Sequence, residues 1–155
     1  MERRIREEDV TKAIICWLEK NSWSIICYDF PQSGTGKVLH SNNRVGLKNK
    51  NSIIPDIVAV KSGVVVILEN KDRFFLSDFQ KLENVKKEDN YSDSIKQLLM
   101  FHKYVSIYFG IGLPISSKNM ERVNENKDKV DFVIDSDGEI VKIYYQKQRV
   151  FDNLS

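Results

Sequence analysis

The fold of this chain depends on residues 54–71, which read IPDIVAVKSGVVVILENK. Two runs of mostly β-branched and aliphatic residues are joined by Ser62-Gly63, a dipeptide that favours a two-residue hairpin turn. With these residues as the turn, Lys61 pairs with Val64, and each step outward along both strands brings Asp56 opposite Glu69 on one face. Lys71 follows two residues after Glu69 and shares that face. The sequence therefore predicts two acids and a lysine at the end of a hairpin.

Two directly opposed carboxylates, Asp56 and Glu69, require a nearby positive charge to offset their repulsion. Directly opposed side chains in an antiparallel pair have Cβ atoms about 4.5–5.5 Å apart, and like charges there destabilise the sheet. Glu69 also ends an apolar run that is typical of a strand buried on both faces, and the ends of such strands are where open α/β sheets build their sites. A purely structural Glu69–Lys71 ion pair at a strand end is the competing interpretation.

A divalent metal would supply the missing positive charge. Mg²⁺ is usually held by one or two carboxylates, with water and substrate phosphate at the other positions. Asp56 and Glu69 would be its ligands, together with a carbonyl of Asn70, and the metal would polarise a phosphoryl oxygen and supply bound hydroxide. Mn²⁺ is expected to substitute. The Lys71 ammonium would stabilise the charge that develops on the phosphate or orient the attacking water, so the pattern favours phosphodiester hydrolysis.

Composition and length predict one domain over residues 1–155. The chain is 41% hydrophobic and 30% charged, which is enough apolar material for a single core. No apolar run approaches the roughly 18 residues of a membrane span, and the amino-terminal residues do not resemble a signal peptide, so a cytoplasmic protein is expected. Cys16 and Cys27 have no metal-site spacing and are expected to be reduced, buried thiols.

Periodicity predicts the remaining elements. We expect helices over residues 7–20 and 94–104, strands over 22–30 and 105–113, and a final hairpin over 130–145 that turns at Asp137-Gly138. Residues 72–93 show no clear element, and residues 116–129 are interpreted as a polar connection. The resulting order, α-β-β-β-α-β-β-β, indicates an α/β protein.

These residues resemble a known family. Pro55-Asp56 followed by Glu69-Asn70-Lys71 is similar to the motif of the PD-(D/E)XK nuclease superfamily, which includes many restriction endonucleases and resolvases. The order of elements from about residue 7 to about residue 113 is similar as well. The resemblance implies a restriction endonuclease-like three-layer fold, with a central mixed β-sheet flanked by helices.

The resemblance also implies supporting residues on both predicted helices. An acid on the first helix often helps to hold the metal in this family. Glu7 is preferred for that role because it lies nearer the apolar stripe of the helix, and Glu8 is the alternative. Both acids are also favourable at a helix amino terminus without any metal. Gln97 matches the polar residue that the family carries on its second helix.

Residues 31–51 read as a long surface loop, and such loops are often functional. No acid occurs between Asp29 and Asp56. The loop supplies seven candidate DNA contacts, which are Lys37, His40, Asn42, Asn43, Arg44, Lys48 and Lys50. Basic side chains would neutralise phosphates, while Arg44, Asn42 or Asn43 would reach base edges in a groove. A solvated loop without a ligand is the alternative.

The sequence as a whole favours a Mg²⁺-dependent endodeoxyribonuclease that acts on double-stranded DNA, as a type II restriction endonuclease does. One small domain carries one active site, so cutting both strands of a palindrome requires a symmetric homodimer. Two alternatives stay open. One is a structure-specific nuclease such as a Holliday junction resolvase, and the other is a catalytically inactive DNA-binding module.

Overall fold

The computed structural model of the chain describes residues 4–29, 39, 53–88 and 91–151. These residues form an α/β protein in which four α-helices pack on one six-stranded mixed sheet. The helices are α1 Glu7–Lys20, α2 Leu76–Glu88, α3 Ser92–Leu98 and α4 Met120–Asn126. The strands are β1 Ser24–Tyr28, β2 Ile57–Lys61, β3 Val64–Asn70, β4 Ser106–Leu113, β5 Phe132–Ser136 and β6 Val141–Gln146.

The strands lie side by side in chain order, from β1 to β6. Strands β1, β2 and β3 pair antiparallel, β3, β4 and β5 pair parallel, and β6 returns antiparallel to β5. The parallel pairs are linked through helices, because a parallel connection must cross from one end of the sheet to the other. The carboxyl ends of β3, β4 and β5 therefore meet at one edge of the sheet.

The β2–β3 hairpin has the predicted register. Lys61 pairs with Val64 and Ile57 pairs with Leu68. Ser62 and Gly63 both have positive φ, 50° and 80°, as a type I′ turn requires at its two central positions. Because side chains alternate between the faces of a strand, this turn also decides which side chains of β2 and β3 share a face.

Alternate residues of β3 enter two separate hydrophobic cores. Val65 and Ile67 pack in a core that includes side chains of α2, α3 and α4, while Val66 and Leu68 pack in a core with α1. The predicted arrangement of a mixed sheet with helices on both faces is therefore present in the described residues. The strand residues are apolar on both faces because both faces are covered.

Two glycines of β4 permit close packing in the α1 layer. A Cβ atom on Gly112 would lie 2.4 Å from Ile14 Cδ1 of α1 and 2.5 Å from Asn70 Oδ1 of β3. A Cβ atom on Gly110 would lie 2.2 Å from the Phe132 ring. The absence of these Cβ atoms lets α1 and Phe132 sit directly on the backbone of β4.

The structure corrects several predicted boundaries. The helix over residues 7–20 is confirmed, but the helix predicted over 94–104 begins at Ser92 and ends at Leu98. Residues 72–93, where no element was apparent, contain α2, and the polar connection 116–129 contains α4. Helix α2 was missed because its four apolar residues, Leu76, Phe79, Leu82 and Val85, stand among charged and polar ones. Cys16 is exposed, contrary to prediction, while Cys27 is buried, and the two cysteines form no disulfide with each other.

No helix in the described ranges combines the length and the apolar character that crossing a bilayer requires.

We predict that Gly112→Ala lowers the free energy of unfolding by about 1–3 kcal/mol, because extra atoms in a filled core force side chains and backbone to shift. Urea unfolding followed by circular dichroism measures the loss. Ile14→Val removes the Cδ1 methyl group that the new Cβ would meet, so the two substitutions should be coupled. The double variant is expected to lose less than the sum of the single variants, and additive losses would contradict this close packing.

Candidate active site

A group of charged side chains lies at the carboxyl end of β3. Asp56 directly precedes β2, and its backbone N–H donates to the Leu68 carbonyl at 2.9 Å, which continues the pairing of the hairpin. Asp56 lies on the same face as Val58, and Glu69 on the same face as Ile67, because side chains alternate along a strand. The fold thus brings Asp56 beside Glu69, where the register predicts it.

Both carboxyl groups are largely removed from water, with 8% of Asp56 and 6% of Glu69 exposed. Burial, reinforced by the neighbouring charge of Glu69, raises the pKa of Asp56 to about 8, although a backbone hydrogen bond from Asn70 opposes the shift. Burial also raises the pKa of Glu69, against the attraction of Lys81. Near neutral pH this pair of carboxyl groups therefore holds a proton that ordinary aspartates have released.

Asn70 fixes the Asp56 carboxylate through its backbone. The Asn70 N–H donates to Asp56 Oδ2 at 2.7 Å. In an extended strand the N–H and C=O of one residue point to the same side, so the Asn70 carbonyl also faces the side of Asp56. The backbone carbonyl of Asn70, and not its side chain, is therefore the group that is placed to join a metal shell with Asp56.

The Asn70 side chain lies on the opposite face of the sheet, toward α1. Its Nδ2 donates to Thr11 Oγ1 at 3.1 Å, and its Oδ1 is buried without a hydrogen-bond partner among the described residues. Gly112 leaves the space that this amide occupies. The Asn70 side-chain amide thus links α1 to the end of β3, while the Asn70 backbone N–H bonds to Asp56.

Lys71 extends between two helices. Its Nζ lies 4.0 Å from Glu7 Oε1 of α1 and 4.0 Å from Asp78 Oδ1 of α2. Burial would lower the pKa of Lys71, but the nearby carboxyl groups, led by Asp78 and Glu7, outweigh burial and raise it. Lys71 is consequently a stable cation at neutral pH, which suits charge stabilisation and does not suit a general base.

Helix α2 adds two residues that the sequence interpretation missed. Lys81 Nζ donates to Glu69 Oε1 at 3.1 Å, and Asp78 lies beside Lys71. Asp78 is buried, burial raises its pKa, and its Oδ2 has no hydrogen-bond partner in the described part of the chain. The spacing of Phe79, Leu82 and Val85 was the one signal for this helix, and no motif marked Asp78 or Lys81.

Of the two acids proposed on α1, the structure brings only Glu7 to this group. Burial raises the pKa of Glu7, and Lys71 opposes the shift. Glu8 instead pairs with Lys12 at 2.8 Å along the helix. Gln97 is not brought to the group either. It is exposed on α3, whose residue Ile95 packs beside Ile107 at the opposite end of β4.

We call the six residues at the end of β3 the site cluster, and its members are Glu7, Asp56, Glu69, Lys71, Asp78 and Lys81. Four carboxyl groups face two ammonium groups, so the cluster lacks positive charge when all six groups are ionised. No three His, Cys, Asp or Glu side chains within the described ranges converge as a ready metal-binding group. The protein itself thus offers Asp56, Glu69 and the Asn70 carbonyl, a set of hard oxygen donors that fits Mg²⁺ when water and phosphate complete its shell.

The predicted DNA contacts Lys37, His40, Asn42, Asn43, Arg44, Lys48 and Lys50 lie outside the described residues. The structure does describe how part of this loop is anchored. Leu39 pairs antiparallel with Ile53, and both side chains are buried in the core shared with α2. Leu39 is therefore a core residue inside the predicted surface loop. Ile53 lies three residues before Asp56, so this bridge is close to the site cluster along the sequence.

Comparisons of the chain with protein-family models, with curated proteins and with solved structures find no match. The site cluster itself is thus the basis for inferring a function.

We predict that the metal-free protein loses stability as pH rises from about 4 to about 8 because of Asp56. The pKa of this carboxyl group rises from its ordinary value of 3.8, which the unfolded chain has, to about 8 in the folded protein. Between these values the folded protein holds a proton that the unfolded chain releases. The contribution of Asp56 to the free energy of unfolding is therefore fully present below the unfolded-state pKa of 3.8, and it is lost as pH rises through the folded-state pKa of about 8.

Asp56→Asn should flatten this dependence, and urea unfolding in chelator at several pH values measures it. Asp137→Asn is the matched control. Backbone hydrogen bonds from Ile140 and Glu139 lower the pKa of Asp137, so it titrates below this range. An unchanged slope in Asp56→Asn would show that Asp56 does not hold the proton.

Proposed function

We propose that this protein is a Mg²⁺-dependent endodeoxyribonuclease that hydrolyses phosphodiester bonds in double-stranded DNA, with the restriction endonuclease-like fold of the PD-(D/E)XK superfamily. The observation that carries the proposal is the buried pair of Asp56 and Glu69 carboxyl groups at the end of one hairpin, with Lys71 beside them. Burying two neighbouring carboxyl groups is costly for stability, whether they ionise or retain a proton, and such costs are concentrated at functional sites.

The order of elements supports the family assignment. A helix, three antiparallel strands, a helical segment and a parallel strand follow one another from α1 to β4. The resemblance implies one helix between the hairpin and the next strand, and the structure has two there, α2 and α3. Apart from this extra helix, the order around the motif residues is the one that the resemblance implies.

Asp56, Glu69 and the Asn70 carbonyl are the residues that would hold the metal. Bound there, Mg²⁺ supplies the charge that polarises a phosphoryl oxygen and activates water. The Asn70 N–H keeps one Asp56 oxygen oriented along the strand edge, 2.7 Å away. Glu7 lies beside Lys71 and is placed to orient the lysine or the attacking water from the α1 side.

Lys71 provides the fixed positive charge of the mechanism. Asp78 and Glu7 hold its ammonium from two helices. Pentavalent phosphate gains negative charge as water attacks, and an ammonium group at that position in a partly dry site stabilises it. Because its pKa is raised, Lys71 performs this role as a cation throughout the neutral pH range.

The basic segment supports DNA as the substrate. Residues 30–55 contain no acid, and their cationic side chains, Lys37, Arg44, Lys48 and Lys50, precede Asp56 in the sequence. Lys48 and Lys50 stand eight and six residues before Asp56 in the sequence, so DNA bound by this segment is expected to be near the site cluster. A symmetric homodimer then places two such sites on the two strands of one duplex.

Cleavage assays with purified protein are expected to support this function. Asp56→Ala, Glu69→Ala and Lys71→Ala should each reduce cleavage of plasmid DNA by at least about a hundredfold while the protein stays folded, because each removes a ligand or the charge in the transition state. Mg²⁺ and Mn²⁺ should support cutting, and Ca²⁺ should allow DNA binding with little turnover. Nicking and linearisation on gels measure the rates.

Glu8→Ala is the matched control for these variants, because Glu8 is an acid that pairs with Lys12 away from the cluster. It should cleave like the wild type. Full Mg²⁺-dependent cleavage by Asp56→Ala, or undiminished cleavage in excess chelator, contradicts the assignment. Preference for a four-way junction over every duplex would favour the resolvase alternative, and metal-independent binding without cutting would favour the inactive binding module.

A separate prediction concerns the basic loop. Lys48→Ala with Lys50→Ala should weaken binding to all DNA alike and flatten the salt dependence by up to about one unit of slope per lost phosphate contact. Arg44→Ala should cost about 1–3 kcal/mol on a preferred sequence and much less elsewhere, because a guanine edge is read by two hydrogen bonds. Fluorescence anisotropy at several salt concentrations measures both, and equal loss on every DNA would make Arg44 a phosphate contact.

A further inference from the structure

Helix α2 presents two opposite charges to the end of β3. Asp78 and Lys81 are three residues apart and therefore lie on the same face of the helix. Each meets a residue of opposite charge at the end of β3. Lys81 Nζ lies 3.1 Å from Glu69 Oε1, and Asp78 Oδ1 lies 4.0 Å from Lys71 Nζ. Glu69 and Lys71, two residues of the proposed active site, are thus each paired with a side chain of α2.

The Lys81 contact involves an oxygen that the proposed metal needs. Glu69 is almost fully buried, so its carboxylate depends on a nearby cation once it is ionised. Lys81 supplies that cation, and its own side chain is 40% exposed. A flexible lysine stem that enters from solvent is able to withdraw without disturbing the core.

We propose that Lys81 is the counter-ion of Glu69 in the metal-free protein and that a divalent metal displaces it. This inference rests on the proposed function, because it takes Glu69 as a metal ligand. A metal bound to Glu69 would stand within a few ångströms of the Lys81 ammonium, where like charges repel strongly in a poorly hydrated site. Metal binding must therefore break the Lys81–Glu69 hydrogen bond or bear that repulsion.

Removing Lys81 should consequently tighten metal binding. A purely structural lysine has a different signature. Its loss would lower the melting temperature of the protein and would leave metal affinity unchanged, or weaken it if Lys81 orients Glu69 for the metal. The direction of the change in affinity separates the two roles.

The experiment measures Mn²⁺ binding to metal-free protein without DNA, by electron paramagnetic resonance of the free ion. Lys81→Met removes the charge at similar length, and Lys81→Gln keeps an N–H donor without the charge. We expect both variants to bind Mn²⁺ at least about tenfold more tightly than the wild type. Lys87→Met is the matched control, since it removes the same charge from the same helix at a side chain that is 72% exposed, and it should change affinity by less than about twofold.

A variant that is unfolded without metal still tests the proposal. Mn²⁺ would replace the lost counter-ion, so added Mn²⁺ should restore the native circular dichroism spectrum, because a ligand that binds only the folded state stabilises it. A variant that stays unfolded in Mn²⁺ overturns the proposal, as does a folded variant with equal or weaker affinity.

Failure of the proposed function has a different result. If the wild type binds no Mn²⁺, or if Asp56→Asn leaves its affinity unchanged, the metal site itself is wrong and this inference is wrong with it. If the wild type binds through Asp56 and the Lys81 variants bind no more tightly, only the role of Lys81 is overturned.

Discussion

The rest of the site is arranged around one constraint, which is that the buried carboxyl groups of Asp56 and Glu69 lie side by side. Two carboxyl groups side by side out of water repel each other and lose hydration, so the fold must compensate both. It does so with unlike partners. Asp56 accepts a hydrogen bond from the Asn70 N–H, and its raised pKa lets it keep a proton at neutral pH. Glu69 accepts a hydrogen bond from the Lys81 ammonium. The compensation is partial, and the remaining deficit of positive charge is what a metal ion would fill.

The surrounding packing makes this arrangement rigid. Strand β3 is covered on both faces, so the backbone that carries Glu69 and Asn70 cannot move away from the repulsion. Gly112 and the Asn70 amide bring α1 against the sheet, and the first turn of α1 then delivers Glu7 to Lys71. The packing of the two hydrophobic cores thus holds a locally unfavourable group of charges in place, as is common at functional sites.

The two lysines of the cluster differ in what they are free to do. Lys71 is held between carboxyl groups of two helices and keeps its charge at the end of β3. Lys81 bonds to a single proposed ligand of the metal and reaches it from solvent. A fixed cation suits a reaction in which charge develops at one place, whereas a removable cation suits a site whose occupant changes. This difference divides the roles of the two residues in the proposed mechanism.

Local patterns were sufficient for the hairpin and for the first helix. The Ser62-Gly63 turn and the period of two in the flanking strands determine the register, and the register determines that Asp56 meets Glu69. The apolar stripe of α1 determines its bounds, 7–20. These features follow from sequence because each depends on residues close together in the chain, where turn geometry and side-chain alternation allow few alternatives.

Other features were decided only by tertiary structure. Helix α2 has few apolar residues, so its formation and its position depend on the sheet face that it covers. The position of this helix in turn places Asp78 beside Lys71 and Lys81 beside Glu69. The apolar stripe of α1 favoured Glu7 over Glu8, but the contact of Glu7 with Lys71 depended on how α1 packs on the sheet. The exclusion of Gln97 depended on which end of β4 supports α3. Sequence by itself determined the two acids and the lysine of the hairpin. The partners of these three residues come from distant segments, and only long-range packing places such segments relative to one another.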